Sequence, residues 1–201
     1  MEIHPVKISS RFWSWGYVLD MHTLSSWYLG ADADGRQHWD TRRSAVGELL
    51  YQLKYRDDYG AVELIADTAA EFLRAHLVPS YSVDKIVPVP PSKSRKKQPV
   101  QMLALAIAER LDILCEPSCV LRTGYSIPAK ATESMAERIE QQNQAFELRP
   151  GARTHGLRVL VLDDLYQTGA SAEAVAALLM DVGKAAQVFY LAITKTRNKP
   201  T

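Results

Sequence analysis

The sequence predicts an α/β domain, a parallel sheet flanked by helices, with an aromatic-rich β-ribbon at its N-terminus. Three observations carry that expectation. From Asp84 onward, short apolar runs alternate with apolar stripes at helical spacing, the order that a parallel sheet with right-handed crossovers requires. All four tryptophans lie ahead of that region, at positions 13, 15, 27 and 39. Near residue 43 the apolar spacing changes from strand-like to helical. The boundary accordingly falls at residue 42, with 1–42 as the ribbon extension and 43–201 as the α/β domain.

Residues 12–40 are rich in aromatic and β-branched side chains, and Ala33-Asp34-Gly35 supplies a turn, so a hairpin is expected near Asp34-Gly35. Val46, Leu49, Leu50 and Leu53 predict an amphipathic helix over 43–55. Asp57-Asp58-Tyr59-Gly60 ends it, and Val62, Ile65, Ala66, Ala69 and Leu73 mark a second helix. KIVPVP reads as a short buried strand, PSKSRKKQP as a basic loop, and Val100, Leu103, Ala104, Ile107, Ala108 and Leu111 as the next helical stripe. A polar, weakly patterned stretch follows over 122–145. RVLVLDD then predicts a second buried strand, leading through a loop to a helix that begins near Ala172 and closes at Gly183. VFYLAIT, 188–194, is the third strand of this kind.

The bulk composition excludes several classes. With 201 residues, 47% of them hydrophobic, the chain can bury one sizeable core. A net charge of +1 gives no global attraction to nucleic acid or to a membrane surface. No run approaches the roughly 20 apolar residues of a membrane span, and MEIHPVKISS lacks the apolar core of a signal peptide. Two cysteines make no disulfide framework, so a cytoplasmic protein with reduced thiols is expected.

The chemistry concentrates in VLVLDDLYQTGAS, residues 159–171. Asp163 and Asp164 stand at the carboxyl end of the strand formed by Val159–Leu162, where ligands of parallel sheets gather. Gln167, Thr168, Gly169, Ala170 and Ser171 lead into a helix, whose N-terminal N–H groups and dipole suit a phosphate. Gly169 permits close approach, and Thr168 and Ser171 add hydroxyl donors. The carboxylates suit hydroxyl donors or a hydrated Mg²⁺, for which Asp163 and Asp164 are the candidate ligands. A sugar phosphate such as ribose 5-phosphate satisfies both halves. The plainer alternative is a generic strand–loop–helix unit whose acids are solvated at a sheet end.

This stretch resembles the phosphoribosyl-pyrophosphate (PRPP) signature of the type I phosphoribosyltransferases, with Gln167 in place of the usual first threonine. Three further segments resemble the competence-protein ComF branch of that family, in the family's order. ELLYQLKYRDDYGAVELIADTAAEFL (48–73) is similar to its LK-Y helix, VPVPPSKSRKKQPVQMLALAIAERL to its second anion loop, and AERIEQQNQAF (136–146) to its AER…N…AF segment. Arg138, Asn143 and Phe146 are retained there, and the resemblance covers about residues 44–197. It departs in two places. Residues 1–42 hold no cysteine where that branch carries a four-cysteine zinc ribbon, so no zinc is expected. Lys130-Ala131-Thr132-Glu133-Ser134 replaces the Q-x-G-L-S of the lid.

The resemblance implies a fold, a ligand and a reaction. The fold is the type I phosphoribosyltransferase sheet. The ligand is PRPP, accompanied by Mg²⁺, or a nucleoside monophosphate, with a homodimer as the candidate assembly. The reaction is displacement of pyrophosphate from ribose C1 by a nitrogen nucleophile through an oxocarbenium-like state. Asp163 and Asp164 would then be catalytic, Gln167 to Ser171 would hold the 5-phosphate, Ser92, Lys93 and Arg95 would meet pyrophosphate, and Lys130 and Arg138 would close from the lid. Two other functions remain in play: a non-catalytic PRPP or nucleotide sensor, and an accessory protein of DNA uptake or processing. The acid pair favours the first two, since a scaffold has no use for it.

The remaining features have structural readings. Lys54 and Arg56 lie at a helix end, where the dipole favours cations whether or not they meet a ligand. Cys115 and Cys119 lack the further ligands of a metal site. The tryptophans are expected to pack the ribbon on the core, with a base-stacking or partner surface as the alternative.

Overall fold

In the computed structural model, which describes residues 1–92, 95, 97–123 and 145–196, six strands form the central sheet. The chain runs β1 (Val6–Lys7), β2 (Trp15–Met21), β3 (Thr23–Ala31), β4 (Gln37–Arg43), α1 (Ala45–Tyr55), α2 (Ala61–His76), β5 (Lys85–Pro88), α3 (Pro99–Leu111) and β6 (Leu114–Cys115). It continues through β7 (Val120–Arg122), β8 (Phe146–Leu148), β9 (Arg158–Tyr166), α4 (Ala170–Asp181) and β10 (Gln187–Lys195). The sheet order is β1-β2-β10-β9-β5-β6, parallel throughout except for the antiparallel edge pair β1 and β2. β3 with β4, and β7 with β8, form separate antiparallel pairs.

Both faces of the sheet are covered, which is why its inner strands hold continuous apolar runs, 159–162 in β9 and 188–193 in β10, rather than alternating ones. On one face Leu160, Leu162, Phe189, Leu191 and Ile193 pack against α1, α2 and α3. On the other, Val159, Val161, Val188, Tyr190 and Ala192 pack against α4 and the segment around Trp13. Each such side chain contributes about 1.5–3 kcal/mol by leaving water. Ser44 fixes where α1 begins: its Oγ accepts from Gly47 N at 3.0 Å and donates to the Met21 carbonyl at 2.5 Å, tying the helix to the end of β2.

The structure redraws the N-terminal region. The hairpin is present, turning through Asp32–Gly35 with Asp32 Oδ1 accepting from the N–H groups of Asp34 and Arg36 at 3.0 and 2.8 Å. It comprises only β3 and β4. Residues 15–21 leave the ribbon and become an interior strand, paired in parallel with β10 from Trp15 to Met21. WGYVLDM is buried on both sides, the mark of an interior strand, and its aromatic content concealed that. The tryptophans divide accordingly. Trp13 stacks on Tyr190 at 4.7 Å and Trp15 is buried, whereas Trp27 and Trp39 are exposed on the hairpin.

Among the described residues, no helix is long and apolar enough to cross a membrane.

Candidate functional site

β9 does not stop before the acids. It pairs with β10 as far as Tyr166, with Asp163 opposite Ala192 and Leu165 opposite Thr194. A strand sends successive side chains to opposite faces, so the two aspartates diverge. Asp163 continues the side of Val159 and Val161, where Tyr190 Oη donates to its Oδ2 at 3.3 Å. Asp164 continues the side of Leu160 and Leu162, toward α1, where Lys54 Nζ lies 3.0 Å from its Oδ2. The Asp164 backbone N–H also donates to Asp163 Oδ1 at 2.8 Å. The neighbours are thus held by different elements from different sides.

Their electrostatics differ in the same way. Burial, and then the charge of Asp164, push the Asp163 carboxyl up to about 7. Tyr190, buried beneath it, is pushed up by burial first and then by Asp163, so it remains a neutral donor. Asp164 has the Lys54 ammonium, whose side chain is only 14% exposed. His22, hydrogen-bonded to Thr194 Oγ1 at 3.3 Å, is pushed down by burial and by Arg43 and Lys54, and stays neutral near pH 7.

The loop after β9 turns at Gly169, whose φ of 83° lies in the left-handed region. Space adds a second requirement: a Cβ there would come within 2.7 Å of Tyr166 Oη. This turn starts α4 at Ala170, two residues earlier than Ala172. The N-cap Gly169 offers no side-chain cap, Thr168 Oγ1 accepts from the Ala170 N–H at 3.4 Å, and Ala170, Ser171 and Ala172 of the first turn line the cavity in front of it.

That cavity, about 380 Å³, collects most of the sequence-predicted site. Asp163, Asp164, Gln167, Thr168, Gly169, Ala170 and Ser171 line it from β9 and its loop. Ser92 and Arg95 line it from the loop after β5, where Arg95 lies 5.5 Å from the Tyr55 ring centroid. Lys93, Lys130 and Arg138 lie outside the described residues. Lys54, Tyr55 and Arg122 join the lining. Lys54 was readable only as a helix-end cation, and Arg122 carried no signal, since nothing in a lone arginine reveals that β7 brings it beside the β5 loop. Arg122 rests on the Phe146 ring at 4.6 Å.

The acid pair suits sugar hydroxyls better than a protein-held metal ion. Three of its four oxygens already have partners, and one of those is an ammonium. Mg²⁺ at a phosphate site is held by one or two carboxylates together with substrate oxygens and water, and here the carboxylate of Asp164 already meets an ammonium at 3.0 Å. Among the described residues, no group of three or more His, Cys, Asp or Glu could hold a metal ion. Cys115 and Cys119 are free thiols that burial pushes up to about 11, unreactive near neutral pH.

No protein-family model matches the chain, and no curated protein sequence does. Solved structures do. Adenine phosphoribosyltransferase from Saccharomyces cerevisiae, complexed with an imino-altritol 1,6-bisphosphate and adenine, aligns over 86% of this chain and 84% of its own, with 18% identity and a TM-score of 0.50. The enzyme of the same name from Thermoanaerobacter pseudethanolicus aligns over 84% and 94%, with 19% identity and a TM-score of 0.45. That from Trypanosoma brucei, in complex with AMP, pyrophosphate and ribose-5-phosphate, aligns over 84% and 64%, with 18% identity and a TM-score of 0.47. The sheet, covered by helices on both faces, shares the fold of these phosphoribosyltransferases.

Proposed function

We propose that this protein binds PRPP or ribose 5-phosphate and transfers the phosphoribosyl group between pyrophosphate and a nitrogenous base. One observation supports the reading: both carboxylates and residues of two strand-end loops line one cavity. The carboxylates take the ribose hydroxyls. The Gln167–Ser171 loop and the first turn of α4 take the 5-phosphate. Ser92, Arg95 and Arg122 face the pyrophosphate, with Lys93 from the same loop. A base nitrogen attacks ribose C1 as the bond from C1 to the pyrophosphate oxygen breaks. Positive charge grows on the ring beside Asp163 and Asp164, while the arginines neutralise the leaving group. The ligands of the yeast enzyme, a bisphosphate and adenine, are of the same chemical kind.

Assignment to the ComF-like branch is part of the proposal and rests on four sequence segments in order. The test is calorimetry of PRPP in the presence of Mg²⁺ against wild type, Asp163→Asn and Asp164→Asn. Charged hydrogen bonds contribute roughly 1.5–3 kcal/mol each, so each variant is expected to bind at least severalfold more weakly. No binding by the wild type sinks the reading. Where binding is seen, pyrophosphate release over a panel of bases separates enzyme from sensor, since silence throughout leaves a PRPP sensor.

A further inference from the structure

We propose that Lys54 is the resident cation of the ribose site, so that Asp163 and Asp164 grip a ribose without a divalent metal ion. The inference rests on the ribose-phosphate reading above and adds a residue to it. An acid pair beside a phosphate needs positive charge nearby, and a divalent ion is the usual supplier of it. Here the position is taken. Lys54 Nζ lies 3.0 Å from Asp164 Oδ2, with the two side chains 14% and 21% exposed. A metal ion on Asp164 would have to displace that ammonium or tolerate its repulsion at contact distance.

The geometry makes Lys54 the cation dedicated to this carboxylate. Arg43, a cation at the end of β4, is engaged elsewhere: its guanidinium lies 3.8 Å from the Tyr51 ring centroid and its Nη1 donates to Glu48 at 3.1 Å. Lys54 comes from the last turn of α1, packed on the same face of the sheet as Leu160 and Leu162. It therefore meets Asp164 from the α1 side, at the wall of the cavity that both residues line. A lysine placed this way offsets the charge of one carboxylate, lowers the repulsion felt by an incoming phosphate, and fixes the orientation of Asp164 for a hydroxyl donor. Lys54 is a positioning residue in this account, acting through Asp164.

The test is titration of ribose 5-phosphate into the full chain by calorimetry, once in EDTA and once in excess Mg²⁺. Wild type, Lys54→Met and Lys54→Arg are compared, with folding checked by circular dichroism. Wild type is expected to bind alike in both buffers. Lys54→Met is expected to lose roughly tenfold or more in EDTA, with Mg²⁺ recovering part of the loss, and Lys54→Arg to keep metal-independent binding. A merely structural ion pair would lower the melting temperature of Lys54→Met and leave its metal dependence unchanged. The inference is overturned if wild-type binding collapses in EDTA, or if folded Lys54→Met binds there as well as wild type. Should Lys54→Met not fold, the wild-type comparison and Lys54→Arg still decide. Wild type silent in both buffers removes the ribose-phosphate reading itself, a different result from binding that needs metal.

Discussion

If a ribose binds as proposed, Asp163 should make that binding a proton-release reaction. Its carboxyl is pushed from the ordinary 3.8 up to about 7, first by burial and then by the neighbouring charge of Asp164. At pH 7 about half of the free molecules carry a proton there. A ribose hydroxyl that donates to this carboxylate selects the ionised form. Binding at pH 7 should therefore expel about half a proton from Asp163, approaching one at pH 6 and almost none above pH 8. Affinity should fall about tenfold per pH unit below 7 and level off above 8.

The assay is calorimetry of ribose 5-phosphate in two buffers of unequal ionisation enthalpy, whose difference in heat counts the protons. The sugar's own phosphate titrates near 6, so Asp163→Asn is measured in parallel and the contribution of Asp163 is the difference. Equal proton release by wild type and variant would refute the reasoning. Proton uptake by wild type relative to the variant would refute it more sharply, because Asp163 would then be donating to the ligand.

Stability supplies the remaining tests. The raised Asp163 value means that the folded state keeps a proton the unfolded chain has lost, so stability falls as pH rises from about 4 to 7. Asp163→Asn should melt higher than wild type at pH 8, by a few kcal/mol at most, and the gain should vanish near pH 4. Gly169→Ala should lose roughly 1–3 kcal/mol in urea unfolding and bind ribose 5-phosphate more weakly, since φ is 83° and the new methyl meets Tyr166 Oη. Trp13→Ala should lose roughly 3–5 kcal/mol, because the indole stacks on Tyr190 and donates to the Ile8 carbonyl at 2.9 Å. Trp27→Ala, exposed on the hairpin, should stay within about 0.5 kcal/mol of wild type in the same denaturation assay.

Legibility followed the range of the interactions. The helices and the three long apolar strands from residue 43 onward could be read because period and turn residues are local signals, whereas the short strands β6, β7 and β8 could not. Gly169 and the acid pair could be read because strand, loop and helix follow one another directly. β2 could not. Whether WGYVLDM joins the hairpin or the sheet depends on β10, about 170 positions away in the chain, and a mostly apolar run fits either place until its partner is known. Arg122 was hidden by a shorter-range pairing, since β7 and β8 are two short strands joined through a stretch with little apolar pattern.

The acid pair shows how much a local signal leaves out. In sequence Asp163 and Asp164 are alike, and any motif treats them as one unit. The pleat of β9 separates them, giving Asp163 a buried tyrosine hydroxyl and Asp164 a lysine ammonium. The same Asp→Asn change should therefore act with opposite sign at the two positions. At 163 it removes a desolvated charge and stabilises above pH 7. At 164 it leaves Lys54 sheltered without its carboxylate, which costs on the order of 1–3 kcal/mol. Thermal melts of both single variants at pH 8 check this, together with the Lys54→Met/Asp164→Asn double variant. The double variant should recover most of what Asp164→Asn loses, because neither partner is then left unpaired. Equal shifts of the same sign at 163 and 164 would mean that the two carboxylates share one environment, contrary to the geometry that divides them.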